Sequence, residues 1–259
     1  MMKEKKIFYY ENELEDEFSK AEIQPIPIDE NYPYIHNRFW DFCSFFMQNI
    51  LSMPIKYFYA KIKLRIQWIG KENFQKCKDT GYFIYANHTQ EFADTFIPSL
   101  GNYPKRNYFI VNPANVSMKG LTKIVPMLGA IPIPGDLKAG RTFLQVIKKR
   151  VEQKRSITIY PEAHIWPYYT KIRPFKDTSF KYPVELKVPI FTITNTYQER
   201  KNGHVKITSY VDGPFYPPQN VTKKEAQKWL RDRAYETMCK RSKNSTYEYI
   251  LYQKKTESI

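Results

Sequence analysis

The chain has 259 residues, with 41 Lys and Arg against 26 Asp and Glu, a formal charge of +15 and a pI near 9.5. That length suits one α/β domain with additions and a sizeable core. The three cysteines, Cys43, Cys77 and Cys239, are scattered, which excludes a Cys-x-x-Cys zinc site and a disulfide framework and suits a reducing compartment.

The positive excess favours phosphate-rich partners: nucleic acid, anionic lipid or phosphorylated small molecules. Aromatic residues make up 16% of the chain, which suits base stacking and the membrane interface alike. No run approaches about 18 apolar residues, so no transmembrane helix is expected. Met1 to Glu17 lacks an apolar centre, so no secretory signal is expected. Residues 1–36 read as an arm over the body, acidic from Glu11 to Glu17 and punctuated by Pro25, Pro27 and Pro33. Residues 37–60 read as an aromatic helical pair broken at Pro54. Phe39, Trp40, Phe42, Cys43, Phe45, Phe46, Met47, Ile50 and Leu51 make it apolar almost all round. Too short and interrupted to span a bilayer, it suits the plane of the interface with Lys56, Lys61 and Lys63 near headgroups. A helical hairpin packed on the core or in a dimer contact is the alternative.

Residues 61–259 read as an α/β domain with a C-terminal helix, built on a mixed, mostly parallel central sheet flanked by helices. Leu64–Trp68 alternates and predicts a strand before Gly70. Tyr82–Ala86, Asn107–Val111 and Ser156–Tyr160 are short apolar runs that read as buried strands. Phe92 to Leu100 begins a helix, with Asp94 in or near its first turn. Ile131 and Ile133 mark a short strand, Asp136–Gly140 a turn, and Arg141–Gln153 a helix burying Phe143, Leu144, Ile147 and Val151. Ile190–Thr194 and Val205–Val211 are further strands, and Asn202-Gly203-His204 is turn-like. Thr222 and Glu225 form a capping box for a helix with Ala226, Trp229, Leu230 and Met238 inward. The tail beyond Lys240 reads as solvated.

Three strand ends turn abruptly polar: at Asn87-His88, at Asn112 and at Pro161-Glu162. If those strands are parallel neighbours, His88, Asn112 and Glu162 project from one edge, where open α/β sheets place ligands. A histidine with a carboxylate a few residues on is a general base with its orienting partner. The plainer reading is a strand-end His and Asp that tie down a loop. Serine-elbow, phosphate-loop, dinucleotide and zincin motifs are absent. His36 and His204 read as surface residues, and His164 is a lesser site candidate beside Glu162.

Four blocks then carry a resemblance: Asn87-His88 with Asp94, Gly129-Ala-Ile-Pro-Ile133, Tyr160-Pro-Glu-Ala163 and Val188-Pro-Ile190. Over roughly residues 60–215 the chain resembles the glycerolipid acyltransferases, the 1-acylglycerol-3-phosphate (lysophosphatidic acid) acyltransferase superfamily, in block order and rough spacing. It departs in three places. Five residues, Thr89 to Ala93, separate His88 from Asp94 where the family has four, so either a bulge brings Asp94 back or Glu91 takes its role. Pro134 and Gly135 stand where the second block carries arginine. The third block reads Pro161-Glu162-Ala163-His164-Ile165 rather than Pro-Glu-Gly-Thr-Arg, without the arginine associated with the acceptor's phosphate.

The resemblance implies an O-acyltransferase of phospholipid biosynthesis. It would move a fatty acyl group from acyl-CoA or acyl carrier protein to the hydroxyl of a lysophospholipid-type acceptor. It needs no cofactor beyond that thioester co-substrate, no metal and no covalent acyl-enzyme. His88 is the base; Asp94 is the first candidate to orient it and Glu91 the second. Backbone N–H groups near Gly129–Ile131 or in the Pro161–Ala163 turn are candidate oxyanion donors. Lys138, Arg141, Lys171 and Arg173 are candidate phosphate partners, with Asn112 at the strand edge and Glu162 positioning the acceptor's hydroxyl or these cations. The expected partners are the acceptor, the donor and an anionic membrane surface, without nucleic acid. The expected location is cytoplasmic, peripheral on the inner face of the cell membrane. A catalytically silent lipid-binding relative is one alternative. A nucleic-acid-binding protein is the other, although the basic residues are dispersed without a compact aromatic motif.

Overall fold

The computed structural model describes residues 5–18, 23–200 and 204–255, so the turn expected at Asn202-Gly203 lies outside the described residues. Among those described, strands β1 (Lys6–Tyr10), β2 (Gln67–Ile69), β3 (Tyr82–Ala86), β4 (Asn107–Val111), β5 (Ala130–Pro132), β6 (Ser156–Ile159), β7 (Ile190–Glu199), β8 (Val205–Phe215) and β9 (Ile250–Lys254) make two sheets. The larger has the order β2-β8-β7-β3-β6-β4-β5. All neighbours in it pair parallel except β7 with β8. The mixed, mostly parallel sheet expected from the sequence is therefore present.

Strand β3 sits in the middle, and all five of its residues are buried. That is why it reads as an unbroken apolar run: helices cover both faces of a parallel sheet, so neither face needs polar residues. Alternation then divides its side chains. Phe83 and Tyr85 enter a core shared with the helices Leu137–Glu152 and Lys223–Ser242. Tyr82, Ile84 and Ala86 enter the opposite core with Phe74, Phe96, Ile97 and Leu100. The helix Leu137–Glu152 carries the chain from β5 to β6, which inserts between β3 and β4. That crossover brings the carboxyl ends of β3, β6 and β4 to one edge.

The structure moves several boundaries. Asp136 caps the helix Leu137–Glu152, its side chain accepting from Ala139 N at 2.8 Å, so the stretch expected as a turn is the first turn of a helix. Leu144 lies on the outer side and Val146 on the inner one. The helix Lys223–Ser242 has the expected capping box, but its inward stripe is Ala226, Leu230, Ala234 and Met238, an i, i+4 series that leaves Trp229 partly exposed under Arg233.

The N-terminal helices are joined end to end. An α-helical stretch Arg38–Phe46, a π turn Met47–Leu51, an α-helical stretch Ser52–Phe58 and a second π turn Tyr59–Leu64 follow without a break. Pro54 falls just after the first π turn, where the wider bonding pattern, with Ser52 N on Met47 O, makes room for a residue without a donor. The strand expected from Leu64 starts only at Gln67, because the helix runs to Leu64 and ends with Arg65 in the left-handed region at φ 49°.

This helix is inside out. Ser44, Gln48, Ser52 and Lys56 recur at i, i+4 toward the body: Ser44 Oγ and Gln48 Nε2 donate to Met127 O at 2.7 and 3.0 Å, and Ser52 Oγ to Gln48 O. Phe39, Phe42, Ile50, Ile55, Phe58 and Ile62 face outward, Phe39 being 75% exposed. Among the described residues no helix is long and apolar enough to cross a membrane.

The chain ends close a clasp, so the C-terminal tail is not simply solvated. Strands β1 and β9 pair parallel from Lys6↔Ile250 to Tyr10↔Lys254. Beneath them Tyr252 stacks on the fully buried Trp166 at 5.0 Å, with Phe18 edge-on to both. Tyr252→Ala should therefore cost about 2 kcal/mol, discounted from a full core truncation because Tyr252 is only half-buried. Urea denaturation followed by tryptophan fluorescence checks it, and an unchanged midpoint would mean that the clasp is a passive edge.

Candidate active site

Where β3 stops, Asn87 takes over the pairing. Asn195 N on β7 donates to Asn87 Oδ1 at 2.8 Å, and Asn87 Nδ2 donates to Asn195 O at 3.0 Å. The side chain thus supplies one more rung after the backbone turns away. His88 follows, its side chain 18% exposed. Its imidazole lies over the Tyr160 ring, centroids 4.3 Å apart and planes at 19°.

Asp94 holds His88. Its Oδ2 lies 2.9 Å from His88 Nδ1 and accepts from Thr89 N and Gln90 N, each also at 2.9 Å. The 3₁₀ turn Ala93–Thr95 and the bond from Asp94 N to Gln90 O at 3.0 Å absorb the five-residue spacer. The carboxylate therefore reaches the imidazole despite the extra residue, while Glu91 is exposed. Burial pushes the Asp94 pKa up, against the pull of His88 and the two N–H donors. Tyr160 Oη donates to Asp94 O at 2.5 Å, which ties the end of β6 to the same turn. With Nδ1 on the carboxylate, Nε2 is the nitrogen left for a substrate proton.

Glu162 lies below this pair. Its Oε2 accepts from His88 N and its Oε1 from Arg173 N, both at 2.9 Å. The Arg173 guanidinium lies 3.6 Å from Glu162 Oε2, donates to Glu13 O at 3.2 Å and to His164 O, and sits over the Trp166 ring. Both side chains are fully buried. Burial pushes Glu162 up, and Arg173 and the two N–H donors oppose it.

The structure thus gathers His88, Asp94, Glu162 and Arg173. The other candidates share no hydrogen bond or ion pair with His88 or Asp94 among the described residues. Asn112 Oδ1 caps the short helix Pro113–Val116 through Ala114 N at 2.9 Å. Lys138, 72% exposed, pairs with Glu30 at 2.9 Å. Arg141 and Lys171 are exposed. His164 lies 3.3 Å from Glu17 of the arm, His36 is half-buried in a stack on Trp40 at 4.1 Å, and His204 is exposed. Of the candidate oxyanion donors, Gly129 N is engaged by Pro126 O and Ala163 N by Tyr160 O. Gly129 has φ 103°, and a Cβ there would lie 2.8 Å from Asn107 O, so only glycine fits.

Sequence reading missed the rung made by Asn87 and the stacking and bridging by Tyr160. The polar residue directly after an apolar run was a signal for the first; nothing in the sequence pointed to the second.

A carboxylate gripping an imidazole at the carboxyl edge of a mostly parallel α/β sheet is a geometry that can take a proton from a bound hydroxyl. An acyltransferase family model matches residues 65–196, and the chain belongs to that acyltransferase family. No curated protein matches the sequence. Among solved structures, the 1-acyl-sn-glycerophosphate (LPA) acyltransferase PlsC from Thermotoga maritima is similar in fold. The TM-score is 0.54 at 19% identity, covering 81% of this chain and 89% of that one.

Two outcomes follow. Asp94→Asn should lower acyl-transfer turnover by about 10³-fold or more, whereas Glu91→Gln should stay near wild type, measured at equal folded concentration. The reverse pattern would reassign the partner of His88. Ala163, where the family usually has glycine, sits in the left-handed region at φ 64°. Ala163→Gly should raise unfolding free energy by about 0.5–1 kcal/mol in denaturant titration.

Proposed function

We propose that this acyltransferase moves a fatty acyl group from acyl-CoA or acyl carrier protein to the hydroxyl of a lysophospholipid-type acceptor in phospholipid biosynthesis. The observation that carries the reading is the His88–Asp94 pair, an imidazole oriented by a buried carboxylate. The activity named for the Thermotoga protein of similar fold supports the choice of acceptor class.

In this reading His88 Nε2 takes the proton of the acceptor hydroxyl as its oxygen attacks the thioester carbonyl. Asp94 stabilises the imidazolium. The tetrahedral intermediate collapses, the C–S bond breaks, and the thiolate leaves with the proton returned by His88. The step balances with the thioester and the hydroxyl alone, and the proposal is direct transfer, without a cofactor, metal or acyl-enzyme. Glu162 and Arg173 act from beneath, fixing the backbone of His88. Lys171 and Arg141, exposed, and Lys138, paired with Glu30, are the proposed cations for the phosphates.

The outward apolar face of the N-terminal helix supports docking on a membrane surface; the net charge of +15 supports an anionic, cytoplasmic one, and nucleic acid is not among the proposed partners. Tyr59 at the end of the helix stacks edge-on with Phe92 and Phe96, which flank Asp94, so the docking element runs up to the site.

Thiol release with a panel of lysophospholipids and acyl-thioesters tests the reaction. His88→Ala should lose about 10²–10⁴-fold in rate; near wild-type turnover would leave lipid binding without catalysis as the better account. In liposome flotation, Phe42→Glu with Phe58→Glu should abolish recovery with vesicles, and unchanged recovery would remove the helix from the docking surface.

A further inference from the structure

A second charged cluster lies away from His88. Where the N-terminal helix crosses the start of β4, at the opposite edge of the sheet, Lys56, Lys105 and Arg106 line one recess with Gln48, Asn49 and Ser99. Among the described residues none of the three cations has a carboxylate at ion-pair distance, although Asp79 acts on Lys105 and Asp41 on Arg106 from further away. Lys56 Nζ reaches Ser99 Oγ at 3.5 Å. Arg106, only 7% exposed, donates to neutral groups alone: Ser44 Oγ at 2.8 Å and Gln48 Oε1 at 3.3 Å. Phe45 and Tyr108 flank its guanidinium. Lys105 Nζ donates to the carbonyls of Lys78, Thr80 and Lys154 at 2.7–2.8 Å. Asp41, the acid on the neighbouring helical turn, pairs with Arg150 instead.

Cations held partly out of water without an anion are costly. Burial pulls both Lys56 and Lys105 down to about 8 and moves Arg106 in the same direction. The other residues of the inward stripe, Ser44, Gln48 and Ser52, are neutral, and the one acid of this helix that meets the body, Asp41, is taken by Arg150. A group bearing negative charge and several acceptor oxygens relieves this arrangement.

We infer that the recess binds a phosphate oxyanion, with Lys56 Nζ and the Arg106 guanidinium as direct donors and Lys105 adding charge. Lys56 has unfilled donor capacity, and Arg106, whose Nε and Nη2 are taken by Gln48 and Ser44, keeps Nη1 to donate to an oxyanion. The phosphate comes either from an anionic lipid headgroup beside the docked helix or from a free phosphate in solution. The headgroup source rests on the membrane reading above; the free source does not.

The test uses the full chain, with Lys56→Gln and the charge-conserving Lys56→Arg. In the first arm, inorganic phosphate is titrated against chloride at matched ionic strength and Tm is read. In the second, binding is compared between phosphatidylcholine vesicles and vesicles that also contain phosphatidic acid. A free-phosphate site predicts a Tm rise that Lys56→Gln removes and Lys56→Arg keeps. A headgroup site predicts a preference for the anionic vesicles that Lys56→Gln weakens roughly fivefold, as one lysine at a surface would, while binding to neutral vesicles is retained. Either Lys56-dependent response supports the recess, and its pattern tells the source. A Lys56→Gln protein as folded as wild type by circular dichroism and equal to it in both arms overturns the inference. The membrane reading fails separately, through absent binding to every vesicle, and the Tm arm then still decides the recess.

Discussion

The carboxylate of Glu162 is the interaction on which the rest depends. One of its oxygens holds the backbone of His88 and the other the backbone of Arg173, so the end of β3 and the loop after β6 meet at a single group. Arg173 extends the tie to His164 O and to Glu13 O of the N-terminal arm. Both side chains are out of water, and removing one partner of such a pair costs about 3–5 kcal/mol because the other is left charged and alone. The imidazole is held from below by this network and from the side by Asp94 and Tyr160. Its position is thus set by elements far apart in sequence.

What the sequence made readable was local and repetitive. Tyr82–Ala86 announced a buried strand because both of its faces are covered. The capping box of the C-terminal helix was plain because Thr222 and Glu225 are three residues apart. The histidine and its acid were readable as types, and the choice between Asp94 and Glu91 needed the 3₁₀ turn that only three dimensions show. Arg173 was a candidate for phosphate because the substrates' phosphates call for cations, yet it is fully buried against Glu162. Its partner Glu162 lies eleven residues earlier, and no pattern links them. The pairing of β1 with β9 joins residues some 240 apart, beyond any periodic signal. Leu144 and Trp229 fit apolar stripes on paper, yet the adjacent stripe at i, i+4 packed instead.

The N-terminal helix reverses the usual rule for a surface helix, in which apolar residues face the core. Hydrogen bonds to Met127 O anchor the polar stripe of its first half, while Met53, Tyr59, Ala60 and Leu64 pack its second half on the core. The contiguous apolar surface that this leaves outward is larger than isolated exposed residues explain. Polar anchoring inside and apolar exposure outside are the two features on which the proposed membrane docking of this helix rests.

The clasp has a consequence for the order of events during synthesis. Strand β9 is made some 240 residues after β1, so the two can pair only once every strand of the larger sheet has been synthesised. Until then Trp166 lacks the Tyr252 ring that covers it, and the loop bearing Glu162 and Arg173 has no lid. The nascent sheet can assemble earlier from its own strands, but the ground under His88 is closed last. A chain released before β9 would carry every residue of the dyad and still hold it on an unfinished floor.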